Sequence, residues 1–266
     1  MDFEFGQTAQ SVAFLERNPK CEASLDKLGA LSNKCFGPEV RTMNRMESIS
    51  YCLGFTCRED FLEILFLAVN GFGSGALKLL RGLYERTVAL AYIIKRPEKA
   101  ERFIRFAAIQ EYKALVAAGT IVTDEQFDAV IGETTTAAQI RASYQEVRAE
   151  FQVTRCRECG DQGTAFSWDI DVASMVHVVG DPLKRYYLGA YTIPNFHIHA
   201  TLASVYDGQP EDERTRRRQS ESDFAVANAS GLFLEVMKSQ NTLFTRNLDE
   251  EISACDDDLM DVWVNR

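Results

Sequence analysis

The chain has 266 residues, 46% of them hydrophobic, which is enough to bury a core without disulfides or metal ions. Its 39 acidic and 29 basic residues give a formal net charge of −10, which excludes attraction of nucleic acid or anionic membrane by bulk charge. Seven scattered cysteines and no signal-peptide pattern predict a reducing cytoplasm. The most apolar stretch, 61–73, is interrupted by Glu63 and Asn70, so no membrane span is expected.

Helical periodicity dominates the sequence, because apolar residues recur at intervals of three and four. The glycine-rich stretch GFGSG at 71–75 separates two of the predicted helices. Pro97 ends the second of them, because proline lacks an N–H donor and restricts the residue before it. Thr123 and Gln126 have the spacing of a capping box. The predicted helices cover residues 58–70, 76–95, 98–118, 123–150 (split at 132–136), 168–179, 183–192, 195–206, 221–246 and 249–263.

Two segments are predicted to be irregular. Residues 155–167, RCRECGDQGTAFS, have no hydrophobic period and form the longest predicted loop. Residues 211–223, EDERTRRRQSESD, mix both signs of charge and are predicted to be a solvated loop. No stretch alternates apolar and polar residues long enough to build a sheet. We therefore predict an all-α fold, a single helical domain over 1–266 in which 1–45 form a peripheral N-terminal extension.

The helix predicted at 76–95 is apolar on nearly every side, so it belongs at the centre of a bundle. Arg81 lies at the margin of its apolar face, and Glu85 follows one turn later. A buried charge is costly unless it is paired, and Glu85 at i+4 supplies a partner. The pair could simply fix the helix register. Alternatively, Glu85 could aim the guanidinium into a cavity, towards an anionic ligand or a developing negative charge.

A second polar feature is the sequence IPNFHIHATLASVY at 193–206. A helix beginning at Pro194 would place His199 inside its apolar face and His197 on the solvent side. An inward histidine is more often a satisfied core residue than a catalyst, although its imidazole suits proton transfer near neutral pH. Tyr187 and Tyr191, just upstream, could supply its hydrogen-bond partner.

Cys156 and Cys159 form a CxxC pair in the predicted loop, and with two histidines they could complete a zinc site. A single CxxC is a weak signal, because no second pair follows at the usual spacing. The predicted helix also sends His197 and His199 to opposite faces. We therefore expect no metal and no cofactor.

Three stretches together resemble a family of bacterial helical proteins catalogued as a domain of unknown function. They are GSGALKLLRGLYERTVALAYIIKRPEKAERFIRFA, then SWDI with ASM at 167–175, then YYLGAYTIPNFHIHAT at 186–201. The resemblance extends over about 45–245 and implies that Arg81, Glu85 and His199 are the matching positions, with Trp168 and Tyr191 beside them. The sequence departs from the pattern at Pro194 or Asn195, where a serine is expected. The resemblance implies no reaction.

We therefore predict a cytosolic helical binding or interaction protein with an internal polar pocket built by Arg81, Glu85 and His199 and lined by Tyr191, Trp168 and Asn195. It would bind an unknown ligand or protein, with a homodimer also open. The alternative is a metal-independent ribonuclease, in which Arg81 stabilises the phosphorane and His199 moves the proton. Such nucleases usually place both residues on one helix. The four arginines within 211–223 could contact RNA phosphates.

Overall fold

A computed structural model of the chain describes residues 8–37, 42–132, 134–154, 158–160, 162–198 and 211–264. These residues are helical apart from turns and one short hairpin, which confirms the predicted all-α class. The chain divides into two compact units. The first unit comprises 1–95 and 172–266, and the second comprises 96–171. The prediction of a single domain over 1–266 stays a prediction.

The first unit is built of nine helices in the described part of the chain, with a π-helical turn, Tyr187–Thr192, between the sixth and seventh. Most of its described core comes from five of the nine, namely the second, third, fourth, eighth and ninth in chain order. Its helices are α1 (Thr8–Arg17), α2 (Cys21–Cys35), α3 (Arg45–Val69), α4 (Gly73–Lys95), α8 (Val172–Val179), α9 (Leu183–Tyr186), α10 (Ile193–Ile198), α11 (Glu211–Phe244) and, closing the unit, α12 (Asp249–Trp263).

Helix α4 is the central helix, as the sequence predicts. It packs against α3, α11, α8 and α10, and Leu80, Leu83, Val88 and Leu90 are completely buried. It ends at Lys95, and Pro97 then opens a 3₁₀ turn, so the predicted stop at the proline is confirmed.

Helix α3 begins earlier than the predicted residue 58. Its N-terminus is a capping box in which the Asn44 side chain accepts from the backbone N–H of Glu47, and the Glu47 carboxylate accepts from that of Asn44. The chain then reverses at Gly71, whose φ of 84° suits glycine. The predicted glycine-rich break is therefore confined to about two residues before α4 begins.

The prediction of a loop at 211–223 is wrong, because those residues form the first turns of α11. Pairs of opposite charge spaced four residues apart support the helix: Arg216 bonds Asp212 at 2.8 Å, and Arg217 bonds Glu221 at 3.0 Å. The sequence could have predicted this helix, since arginine and glutamate are good helix formers and opposite charges recur here at a spacing of four.

The N-terminal helices are anchored by buried side chains. Phe14 of α1 and Leu28 of α2 are 1% and 0% exposed. Helix α2 also packs against α12 and pairs with it through Lys27 and Asp258. No helix among the described residues is both long enough and apolar enough to cross a membrane.

The second unit contains α5 (Ala100–Ala118), α6 (Asp124–Ile131) and α7 (Ala137–Val147), followed by strands β1 (Gln152–Thr154) and β2 (Gln162–Thr164). Capping boxes begin α6 at Thr123 and α7 at Thr136, which confirms the predicted capping box and the split. The strands form an antiparallel hairpin with Val153 opposite Gly163. The predicted loop at 155–167 therefore contains a strand, in a segment too short to show an alternating pattern.

Candidate functional site

One face of α4 bears a row of polar residues in the first unit. Ser74, Lys78, Arg81 and Glu85 follow one another at intervals of four, three and four, so they lie on the same side of the helix. Helix α4 packs against the π turn at 187–192 and against α10. This places the row beside Tyr191, Asn195 and His197.

Arg81 is held by three partners. Its Nε donates to Oε1 of Glu85 at 2.8 Å, and its Nη1 donates to Oδ1 of Asn195 at 2.5 Å. The guanidinium carbon lies 4.9 Å from the centroid of the Tyr191 ring, a cation–π distance. The structure therefore brings together four of the predicted site residues, Arg81, Glu85, Tyr191 and Asn195, which we call the Arg81 cluster.

The Arg81 cluster is half-buried. The Arg81 and Glu85 side chains are 26% and 38% exposed to solvent. The ion pair is thus more exposed to solvent than the apolar sequence of the helix predicts. Its desolvation cost is smaller than that of a fully buried pair. Because solvent screens such a pair, its contribution to stability is small, whereas the guanidinium remains within reach of a ligand.

Tyr191 of the cluster packs against two further tyrosines. The ring centroids of Tyr187 and Tyr191 are 5.1 Å apart, and both rings contact the buried ring of Tyr84. The Tyr84 hydroxyl donates to the backbone carbonyl of Leu183 at 3.0 Å. Burial raises the pKa of Tyr84, and burial also raises the pKa of Tyr191 although Arg81 opposes that change. Both hydroxyls therefore stay protonated near neutral pH.

The prediction that His197 faces solvent is wrong. It is only 8% exposed, and its Nδ1 lies 3.2 Å from Oγ of Ser74. The prediction assigned the buried side of the helix from the apolar residues at 198–206. In the structure α10 follows a π turn, and its buried residues are Pro194 and His197, three residues apart. His199, predicted to point inward, lies outside the described residues, so that prediction remains.

Charged side chains from α4 and α11 lie near His197. Burial lowers the pKa of His197; the carboxylate of Glu221 opposes this, and Arg217 and Lys78 add to it. Glu221 was missed because its segment was interpreted as a loop. Ser74 and Lys78 could have been found, since their spacing from Arg81 on one helix face is visible in the sequence.

Trp168 belongs to the second unit. It is 9% exposed, its ring packs edge-on against Phe103 at 5.0 Å between centroids, and its backbone carbonyl accepts from Nε of Arg102 at 2.7 Å. These contacts give it a structural role in that unit. Its predicted place beside Arg81 stays a prediction.

The weak metal candidates are only partly covered by the structure. Cys159 is exposed, and Cys156 lies outside the described residues. Within the described ranges, no three histidine, cysteine or acidic side chains are grouped so that they could hold a metal ion. The zinc interpretation thus gains no support from the described part of the chain.

Comparison with known protein families matches residues 48–214 to a family of unknown function, DUF5677. No curated protein and no solved structure matches the chain. The match begins within α3 and extends past α10, so it includes all four members of the Arg81 cluster, together with Ser74 and His197.

Proposed function

Since the chain belongs to the DUF5677 family of unknown function, its own geometry is the best guide, and we propose that it is a helical binding protein that takes the anionic group of a ligand at Arg81. The observation behind this proposal is that the guanidinium is fixed on three sides, by Glu85, Asn195 and Tyr191, while remaining partly exposed. A surface arginine without such partners would have to be immobilised by the ligand, at a cost in affinity.

The donors of Arg81 are suited to an oxyanion. Guanidinium has five N–H groups, and the bonds to Glu85 and Asn195 use one on Nε and one on Nη1. Lys78, one turn before Arg81 and exposed, adds a second positive charge that Glu85 does not balance. A carboxylate or a phosphate would accept these donors with charge-assisted hydrogen bonds.

The tyrosines beside Arg81 favour a ligand that also has an aromatic ring. Tyr187 and Tyr191 are only partly buried, and aromatic pairs prefer offset or edge-on contacts at the distances found within this cluster. Benzoate and adenosine monophosphate are therefore suitable probes, since one presents a carboxylate beside a ring and the other a phosphate.

The test is calorimetric titration of the full chain with benzoate and with adenosine monophosphate. Arg81→Gln is expected to weaken binding of the favoured probe by about tenfold or more, the typical value of a charge-assisted hydrogen bond. Arg86→Gln is the matched control, because Arg86 lies on the same helix and pairs with Asp60 at 2.6 Å. Equal losses in both variants, or no binding of either probe by wild type, would refute the proposal.

A ribonuclease remains the second candidate, because Arg81 bonds Asn195, which precedes His199 by four residues in the sequence. In this proposal Arg81 stabilises the phosphorane and His199 moves the proton. Incubation of RNA with wild type, Arg81→Ala and His199→Ala tests it. Cleavage that persists in both variants, or no cleavage by wild type, would exclude it.

A cytoplasmic location is part of the same proposal. Free thiols in the described ranges include Cys35, Cys52, Cys57 and Cys255, of which all but Cys52 are buried. Burial raises the pKa of Cys57 to about 12, so this thiol is unreactive as well as unpaired. Free thiols in these numbers are typical of a reducing compartment.

A further inference from the structure

A cavity of about 100 Å³ lies in the first unit, away from the Arg81 cluster, where α1, the end of α3 and the first half of α11 meet. Its polar lining consists of Gln10, Arg17, Thr215, Arg218, Gln219 and Ser222. Among these described lining residues there are two arginines and no carboxylate, although Asp223 pairs with Arg17 at 3.3 Å beside the cavity. A water needs only about 10–15 Å³ of such space, so a ligand of several heavy atoms fits.

Two buried donors at this cavity have no hydrogen-bond partner in the described part of the chain. Ser222 is 1% exposed, and its hydroxyl is unpartnered. The Nε of Arg17 is also buried and unpartnered, although its Nη1 donates to the Ala13 carbonyl and its Nη2 to Asp223. Leaving buried donors without an acceptor is costly, so a group that accepts from both would be held there.

We propose that this cavity binds a phosphate or the phosphoryl group of a phosphate monoester. Guanidinium groups and a hydroxyl are the donors that recognise phosphate oxygens, and a tetrahedral group offers acceptors to donors that approach from several helices. Asp223 already accepts from Arg17 and from Nδ2 of Asn18, so it offsets part of the Arg17 charge. Arg218 supplies the charge that makes the lining attractive to an anion.

This proposal also explains part of the arginine-rich segment at 211–223. Arg216 pairs with Asp212 and Arg217 pairs with Glu221, one turn along the helix in each case. Arg218 lines the cavity instead. The three consecutive arginines therefore have different surroundings, and only the last is placed for a ligand at this site.

Calorimetric titration of the full chain with inorganic phosphate, at constant ionic strength, tests the proposal. Arg218→Gln is expected to weaken phosphate binding by about tenfold or more. Arg216→Gln makes the same change of charge two residues away, outside the cavity, and is expected to bind like wild type. The titrations are repeated in an Arg81→Gln background, where the proposed anion site of the Arg81 cluster is removed, so that the phosphate still bound reports this cavity.

Ser222→Ala provides a second readout. Because the hydroxyl has no described partner, the variant is expected to weaken phosphate binding while its melting temperature in phosphate-free buffer stays equal or rises. Failure of wild type to bind phosphate would overturn the proposal and leave water as the partner of these donors. Equal losses in Arg216→Gln and Arg218→Gln, or a lower melting temperature for Ser222→Ala, would overturn it too.

Discussion

Replacing Gly73 with alanine is expected to destabilise the first unit, because the added methyl group has no room. A Cβ at Gly73 would lie 2.6 Å from the backbone N of Ser222 and 2.7 Å from the backbone O of Arg218. Both atoms belong to α11, so neither can move aside as a flexible side chain would. Gly73→Ala therefore forces the start of α4 away from α11.

The size of the effect follows from two opposing contributions. Overpacking against backbone costs about 3 kcal/mol, at the upper end of the usual range. Alanine recovers about 0.5–1 kcal/mol through its better helix propensity. The expected net loss is about 2 kcal/mol in the free energy of unfolding, which lowers the melting temperature by about 4–8 °C for a unit of this size.

Thermal and urea unfolding followed by circular dichroism measure this loss. Gly29→Ala is the matched control, because Gly29 lies in α2 and an added Cβ meets nothing within 4 Å. It is expected to stabilise the protein by about 0.5–1 kcal/mol. The same substitution thus has opposite signs at the two positions. A Gly73→Ala protein as stable as wild type would refute the close approach of α4 and α11.

Two further predictions concern the polar face of α4. Burial lowers the pKa of His197, so the folded protein binds this proton more weakly than the unfolded chain, and the free energy of unfolding falls as pH drops below about 6.5. His197→Gln should reduce that slope in urea unfolding between pH 7 and 5, and an unchanged slope would contradict the assignment. Tyr84→Phe removes the donor to the buried Leu183 carbonyl and should cost about 1–2 kcal/mol in the same assay. Equal stability would argue against that bond.

Much of the fold was predictable because it depends on local patterns. The apolar residues of 76–95 predicted a central helix, and α4 is that helix. The capping box at Thr123 and the end of α4 before Pro97 were equally visible, since each depends on residues only a few positions apart. The pairing of Arg81 with Glu85 was predictable for the same reason, because residues four apart meet on one helix face.

Other features depended on residues far apart in the chain, and sequence patterns did not reveal them. Asn195 meets Arg81 across 114 positions, and Ser74 meets His197 across 123. The side of α10 that is buried was decided by the π turn before it, because one extra residue in a turn rotates everything that follows. The hairpin at 152–164 was hidden by its length, since three-residue strands show no measurable period.

The sequence by itself therefore determined the all-α class, the central position of α4 and the charges on its polar face, because periodicity and short-range spacing act within one helix. Only the tertiary structure decided which partners those charges meet, how much solvent they retain and where a cavity lined by two arginines forms. The physical reason is that burial and hydrogen bonding between helices depend on packing geometry, which no local pattern specifies.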